Sequence, residues 1–204
     1  MRKGIERLSL LLAAVAVLTL SAPARAGVTL SNLQAAYNGE SNARLKYIAY
    51  AKKADMEGYA KVAQLFRAAA RAEGIHASNH SKVIVKLGGV PTNKIATPAP
   101  KSTLENLRDA VKGESYERDV MYPDFLAAAE KEGQDDAFLT FTLAKAAEGD
   151  HARLYQAAID NLSQWKTAVA GFYVCPTCGQ TSDTAPTKDC PVCSTAKEKY
   201  MLVS

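Results

Sequence analysis

Cysteine is absent from the first 174 residues of this 204-residue chain, so no disulfide framework can staple the body of the fold. Histidine occurs only three times and tryptophan once, as Trp165. Long apolar runs are equally scarce. The run from Leu8 to Leu20 covers thirteen residues, short of the roughly 20 that a membrane-spanning helix needs. Arg2, Lys3 and Arg7 precede it and Ala24-Arg25-Ala26 follows it. A basic n-region, an apolar h-region and an A-x-A site together read as a secretory signal peptide over residues 1–26, cut after Ala26. A retained membrane anchor is the alternative. No cysteine follows the cleavage site, which argues against a lipoprotein, and no twin-arginine signal precedes the h-region. The mature protein is therefore expected to be periplasmic or secreted, to acquire its metals there, and to have no contact with membrane.

A large excess of charge is also missing. Setting residues 1–26 aside removes four basic residues and one acidic one, so the formal charge falls from +4 to +1. That leaves no footprint for nucleic acid. The remaining 178 residues suit one bundle plus a small appendage.

What the chain does have is four short acidic segments inside stretches of helical apolar spacing. They are Glu40, Glu73-Gly74-Ile75-His76, Glu114-Ser115-Tyr116-Glu117 and Glu148-Gly149-Asp150-His151. Residues i and i+3 share a helix face, so each E-x-x-H or E-x-x-E aims two ligands the same way. A carboxylate within an apolar stripe is costly unless a metal or a proton compensates it. One Glu from each of two helices with Glu-x-x-His from two others is the ligand pattern of ferritin-like di-metal bundles. For a single inward Glu, a solvated or salt-bridged side chain is the better reading; for seven residues at one level it is not. His80, one turn past His76, reads as a supporting or structural residue rather than a ligand, and Trp165 as packing.

The helices are expected over Ser31 (as N-cap) to Asp55, from after Tyr59 to Leu87, from Thr103 to Lys131 with a kink at Pro123, and from Asp135 to Trp165. Residues 88–103 form the long internal connection, with Pro91, Pro98 and Pro100 against helix. Extended, they span roughly 50 Å. A helix of about 25 residues is roughly 38 Å long, so the segment can cross the whole bundle. Glu40 lies as far before the first interhelical turn as Glu73 and His76 lie after it. Glu114 and Glu117 stand in the same relation to Glu148 and His151 about Gly133. Equal counts in antiparallel hairpins mean equal height, and all seven side chains can meet in one layer.

Cys175-Pro-Thr-Cys178 and Cys190-Pro-Val-Cys193 give C-x₂-C-x₁₁-C-x₂-C, the signature of a tetrahedral thiolate site for zinc or a single iron. Two disulfides are the alternative for an exported chain.

Taken together, Gly39-Glu40-Ser41-Asn42-Ala43-Arg44, Glu73-x-x-His76, Gly113-Glu114-Ser115-x-Glu117, Glu148-x-x-His151 and Phe172-Tyr173-Val174-Cys175-Pro-Thr-Cys178-Gly resemble the rubrerythrins. The resemblance implies an all-α ferritin-like four-helix bundle with a long crossover over residues 27–168, followed by a small rubredoxin-like metal-binding domain over 169–204. It implies that Glu73 and Glu148 bridge two irons, that Glu40 and Glu114 are terminal ligands and that His151 binds one iron. Glu117 and His76 correspond to a pair that exchanges as one iron shifts with oxidation state. Tyr47 and Tyr122 match the tyrosines beside the ligands. Cys175, Cys178, Cys190 and Cys193 hold one iron, with zinc as the other candidate. The implied assembly is a head-to-tail homodimer in which one subunit's tail serves the other's bundle. The signal peptide departs from the familiar cytoplasmic members and leaves the electron donor unidentified.

The function expected on this basis is a non-haem di-iron peroxidase that reduces hydrogen peroxide to water in oxidative-stress defence. Its electrons are relayed through the Fe(Cys)4 site. Peroxide reduction takes two electrons, and two ferrous ions supply them together. A ferroxidase is the second reading, and an iron-binding or electron-transfer protein the third. A fused thiolate site favours the first, because storage needs no built-in return of electrons.

Overall fold

The computed structural model describes residues 27–204; the signal segment assigned to residues 1–26 lies outside the described residues. Helix α1 runs Val28–Met56, α2 Ala60–Lys86, α3 Thr103–Tyr116, α4 Tyr122–Lys131 and α5 Asp135–Asp160. α1 packs along α2, α3 along α5, and the two hairpins close on each other. None of the described helices is long and apolar enough to cross a membrane.

Three local details differ from the sequence reading. Ser31 lies inside α1 instead of capping it. The helix starts at Val28, and its free N–H groups at Val28 and Thr29 donate to the Glu132 carboxylate at 2.8 and 3.0 Å. A carboxylate from the α4–α5 turn thus does the work of a local cap. The third helix is not simply kinked at Pro123. Proline has no N–H, so the carbonyl of Asp119 has no donor four residues on. The ladder widens to a π segment over Glu117–Met121, closed by Tyr122 N–H donating to the Glu117 carbonyl, and α4 resumes beyond it. The last helix ends at Asp160, with a 3-10 turn over Leu162–Trp165.

The crossover between α2 and α3 carries no regular structure over residues 89–102, yet its backbone is not left to solvent. Gln34, Asn38 and Asn42, spaced one turn apart on α1, bind it in sequence. Gln34 donates to the Val90 carbonyl at 2.6 Å and accepts from Thr92 N–H at 3.2 Å. Asn38 accepts from Lys94 N–H at 2.7 Å. Asn42 donates to the Lys94 carbonyl at 3.0 Å and accepts from Ala96 N–H at 2.8 Å. At the far end Ser102 and Glu105 form a capping box that starts α3.

The core is divided in two. One cluster holds Tyr47, Tyr50, Leu65, Phe66, Leu107, Leu154 and Tyr155; the other holds Leu33, Ala36, Val83, Ile84, Tyr122, Phe141 and Ala144. On each of α1, α2, α5 and the α3–α4 stretch, the buried acid stands between the residues that feed the two clusters. The acidic layer is therefore walled by apolar packing above and below.

After α5 the chain forms a three-stranded antiparallel sheet, with β1 (Phe172–Val174) between β2 (Thr181–Ser182) and β3 (Met201–Val203). Phe172 and Val174 are part of the first bundle cluster, and Phe172 stacks on Trp165 at 6.1 Å. The tail thus shares a core with the helices. It is tied down by Gln64 and Val169, which exchange two 2.9 Å hydrogen bonds, by Arg67 to the Ser204 carbonyl and by Asn79 to the Thr177 carbonyl. In the single chain described, the tail is seated on that chain's own bundle.

Candidate metal centre

Glu40 on α1, Glu73 and His76 on α2, Glu114 on α3, and Glu148 and His151 on α5 are all buried and all meet in one layer. Their ligand atoms fall into two groups, each within 4.8 Å: Glu40, Glu73, His76 and Glu148, and Glu73, Glu114, Glu148 and His151. Glu73 and Glu148 belong to both. Two positions with two shared carboxylates between them are the geometry of a metal pair with bridging ligands.

Orphaned atoms point the same way. Glu40 Oε2, both Glu73 oxygens, Glu114 Oε2, Glu148 Oε1 and His76 Nδ1 are buried without a hydrogen-bond partner. Such atoms are expensive to leave unpaired. The histidine tautomers sharpen this. His76 Nε2 lies 2.9 Å from the Cys178 carbonyl, which can only accept, so Nε2 carries the proton. His76 Nδ1 is then a bare lone pair, facing Glu73 at 2.9 Å and Glu148 at 3.0 Å. His151 repeats the arrangement. Thr181 Oγ1 donates to the Gly179 carbonyl at 2.9 Å and so accepts from His151 Nε2 at 3.1 Å. That leaves His151 Nδ1 facing Glu148 at 2.8 Å. Lone pairs pointed at carboxylates need cations between them, and the residues present fit two metal ions.

Without metal the layer shares protons instead. Burial, then the charges of Glu117, Glu148 and Glu73, push Glu40 well above the usual carboxylate range. Burial, with Glu73 and Glu148, does the same to Glu114. Burial opposes charging of His76 and His151, but Glu148 beside the first and Glu73 beside the second hold both well above an ordinary imidazole. Burial also opposes ionisation of Glu148, yet His76 and His151 keep it far below the usual range.

Each terminal carboxylate is held by a buried tyrosine from another helix. Tyr47 donates to Glu114 at 2.5 Å and Tyr122 donates to Glu40. These are the two tyrosines singled out in the sequence. Glu117 behaves differently. It sits half-buried at the start of the π segment and belongs to neither ligand group, although its charge is felt at Glu40 and Glu114. In this arrangement His76 is turned in and Glu117 stands aside.

The four cysteines of the tail are free thiols whose sulfur atoms converge, with Cys175 and Cys193 at 3.5 Å and Cys178 and Cys190 at 3.6 Å. Those spacings are far beyond a disulfide bond and suit a tetrahedral metal. Hydrogen bonds from the Cys178 thiol and from the Cys178 and Thr177 backbone N–H groups bring Cys175 down to about 4, so Cys175 is ready to present thiolate.

Three residues of the site were not found from the sequence. They are Thr181, the Cys178 carbonyl and Gly179, all in the tail. Gly179 has φ +78°, and a Cβ there would strike His76 Nε2. Gly179 follows the knuckle directly in the sequence, but nothing in the spacing shows that the knuckle lies against a histidine of α2.

A family model described as rubrerythrin matches residues 31–159. Nigerythrin of Nitratidesulfovibrio vulgaris is 37% identical over 175 residues, which are 85% of this chain and 86% of that protein. Rubrerythrin-2 of Clostridium acetobutylicum is 35% identical over 176 residues, 85% of this chain and 95% of that one. The solved structure of fully reduced, all-ferrous nigerythrin superposes with a TM-score of 0.81 at 35% identity and covers 90% of this chain and 91% of its own. With the matched bundle, the paired Glu/His ligand groups and the four-cysteine knuckle, the chain belongs to the rubrerythrin family and carries its di-iron site and four-cysteine site.

Proposed function

We propose that the protein is an exported non-haem di-iron peroxidase that reduces hydrogen peroxide to water and recovers its electrons through iron in the four-cysteine site. The family consists of di-iron proteins of oxidative-stress defence. One observation carries it: Cys178 holds a sulfur ligand at one end and, through its own carbonyl, His76 Nε2 at 2.9 Å at the other. A storage protein has no use for a thiolate site one residue and one hydrogen bond away from its di-metal ligands.

Two irons, when bound, supply both electrons of the reduction together. The chain's own residues do the rest. Glu73 and Glu148 hold the two positions at a fixed separation. Glu40 and Glu114 complete one position each, with their free lone pairs oriented by Tyr122 and Tyr47. His76 and His151 are locked in one tautomer by the tail. The apolar clusters on both sides keep water out of the layer, so charge in it is stabilised by these fixed groups alone. On this reading Glu117, beside the layer on its π segment, exchanges with His76 as oxidation state changes, and the π segment supports it because such segments often occur at functional sites.

Stopped-flow absorbance of the reduced protein mixed with peroxide tests the reading. Cys178→Ser is expected to abolish the visible absorption of the tail iron and leave the first oxidation of the di-iron pair at its normal rate, because those electrons are already on the irons. Repeated turnover should be lost. Wild-type turnover in this variant would overturn the relay. A protein that ignores peroxide but consumes ferrous iron and oxygen would be a ferroxidase.

A further inference from the structure

His80 is fully buried and belongs to neither metal group, yet all its hydrogen-bonding capacity is used. Its Nε2 lies 3.1 Å from the Tyr122 hydroxyl and its Nδ1 lies 3.1 Å from Thr140 Oγ1. Tyr122 in turn donates its only proton to Glu40. That fixes the sense of the whole chain. The Tyr122 oxygen must accept, so His80 Nε2 carries the ring proton. Nδ1 must then accept, so Thr140 supplies its hydroxyl proton. Every donor from Thr140 to Glu40 points inward.

The outer end is at the surface. Thr140 is 6% exposed and lines a groove of about 310 Å³ with Lys82, Lys86, Asp136, Leu139 and Leu143. The inner end is a metal ligand with one unpartnered oxygen, Glu40 Oε2. Between them His80 is neutral, since burial and the neighbouring His76 bring it down to about 3.

We propose that Thr140, His80 and Tyr122 form a directional proton relay from this groove to Glu40. The inference rests on the peroxide-reducing function proposed above: reduction of one peroxide to two waters takes two protons as well as two electrons. In each passage Thr140 gives its hydroxyl proton to His80 Nδ1 and regains one from water in the groove. His80 Nε2 passes its proton to the Tyr122 oxygen, and the Tyr122 proton moves to Glu40. One proton enters at Thr140 and one arrives at Glu40. The electrons come from the irons and do not travel this path. Rotation of the two hydroxyls and a flip of the imidazole then restore the starting sense, and a second passage completes the demand.

Thr140→Val tests the relay with almost no change of shape and without touching a ligand. The iron-loaded, reduced full chain is mixed with peroxide in H₂O and in D₂O. The variant is expected to keep its iron content while its oxidation slows roughly a hundredfold, the lower end of what positioned proton transfer contributes, with a larger solvent isotope effect. Thr140→Ser, which keeps the hydroxyl, should restore both. Unchanged rate and isotope effect in Thr140→Val would overturn the relay. A second measurement does not depend on activity. In ¹⁵N NMR of the full chain loaded with diamagnetic zinc, His80 should show a single Nε2–H tautomer, and Thr140→Val should shift only Nδ1. An Nδ1–H tautomer, a mixture, or an unmoved Nδ1 would overturn the proposal. Wild-type protein inert to peroxide would sink the peroxidase reading, and the NMR result would then decide the relay by itself.

Discussion

The two halves of the acidic layer are near copies of each other, and they differ behind the tyrosines. Each half has a terminal glutamate, an E-x-x-H histidine and a tyrosine donating to the glutamate. Behind Tyr122 the hydrogen bonds continue through His80 to Thr140 and the surface. Behind Tyr47 stand the rings of Phe66 and Tyr155 at 5.8 and 5.6 Å, and the Tyr155 hydroxyl has no partner. One half opens to a polar path and the other backs onto an aromatic wall. Ligand symmetry therefore does not imply functional symmetry: protons have an organised way in on the Glu40 side alone among the described residues.

The most severe way to break the comparison is to remove what both halves share. Glu148→Ala takes a ligand from both positions, so iron per chain should fall from two to near zero and peroxide consumption with it. Two irons and normal turnover in this variant would mean that the layer is not the active site. The metal-free variant should also be less stable than metal-free wild type, because Glu148 is the ionised partner of His76 and His151 and its loss leaves those buried histidines undercompensated.

Gly179→Ala acts on one half through the tail. A side chain at φ +78° costs about 1–3 kcal/mol, and the new Cβ pushes on His76. Loss of an outer hydrogen bond to a ligating histidine typically weakens metal binding about 10–100-fold. The His76 position should lose metal first in a chelator titration, with the His151 position following at its wild-type concentration. Simultaneous loss would show that the two halves are not independent.

Tyr122→Phe against Tyr47→Phe is the sharper pair. Tyr47→Phe removes one buried hydrogen bond, to Glu114, and Tyr122→Phe removes two, to Glu40 and from His80, so at about 1–3 kcal/mol each the melting temperature should fall further in Tyr122→Phe. Peroxide-driven oxidation should slow far more in Tyr122→Phe. Equal rates would erase the distinction between the two sides.

The smallest effect is on pH. In the metal-free protein Glu40, Glu114, His76 and His151 are raised in the folded state, so their contribution is present at low pH and is lost as pH rises through their folded values. The opposing groups, Glu148 and His80, have folded values below their unfolded ones and act only below about pH 6.5. Denaturant midpoints of metal-free protein should therefore rise from pH 8.5 to pH 6.5, and the rise should vanish on metal loading.

The sequence disclosed the ligands because ligand chemistry is local. E-x-x-H on a helix fixes two side chains to one face, and antiparallel counting sets their height. Glu40, Glu73, His76, Glu114, Glu148 and His151 were all legible in this way, and so was the cysteine knuckle. The supporting contacts were not, because they join distant segments without periodicity. Nothing in Gln34, Asn38 and Asn42 announces a ladder for the crossover backbone, and nothing in Thr140 announces His80. Ser31 misled for the same reason: the helix starts three residues earlier, where Glu132, about a hundred residues away, accepts from the Val28 and Thr29 N–H groups. Glu117 was placed among the ligands by its E-x-x-E spacing and by the family resemblance, and the π segment that it opens follows from a proline six residues on.

The seating of the tail also dictates an order of assembly. His76 and His151 present their lone pairs inward only after the Cys178 carbonyl and Thr181 have taken their outer protons. Those two tail residues reach their places only once the tail is seated on the bundle, through the core that Phe172 and Val174 share with the helices. The tail must therefore be docked before the carboxylate pair is fully formed. The small domain is a late piece of the sequence and an early step in maturation.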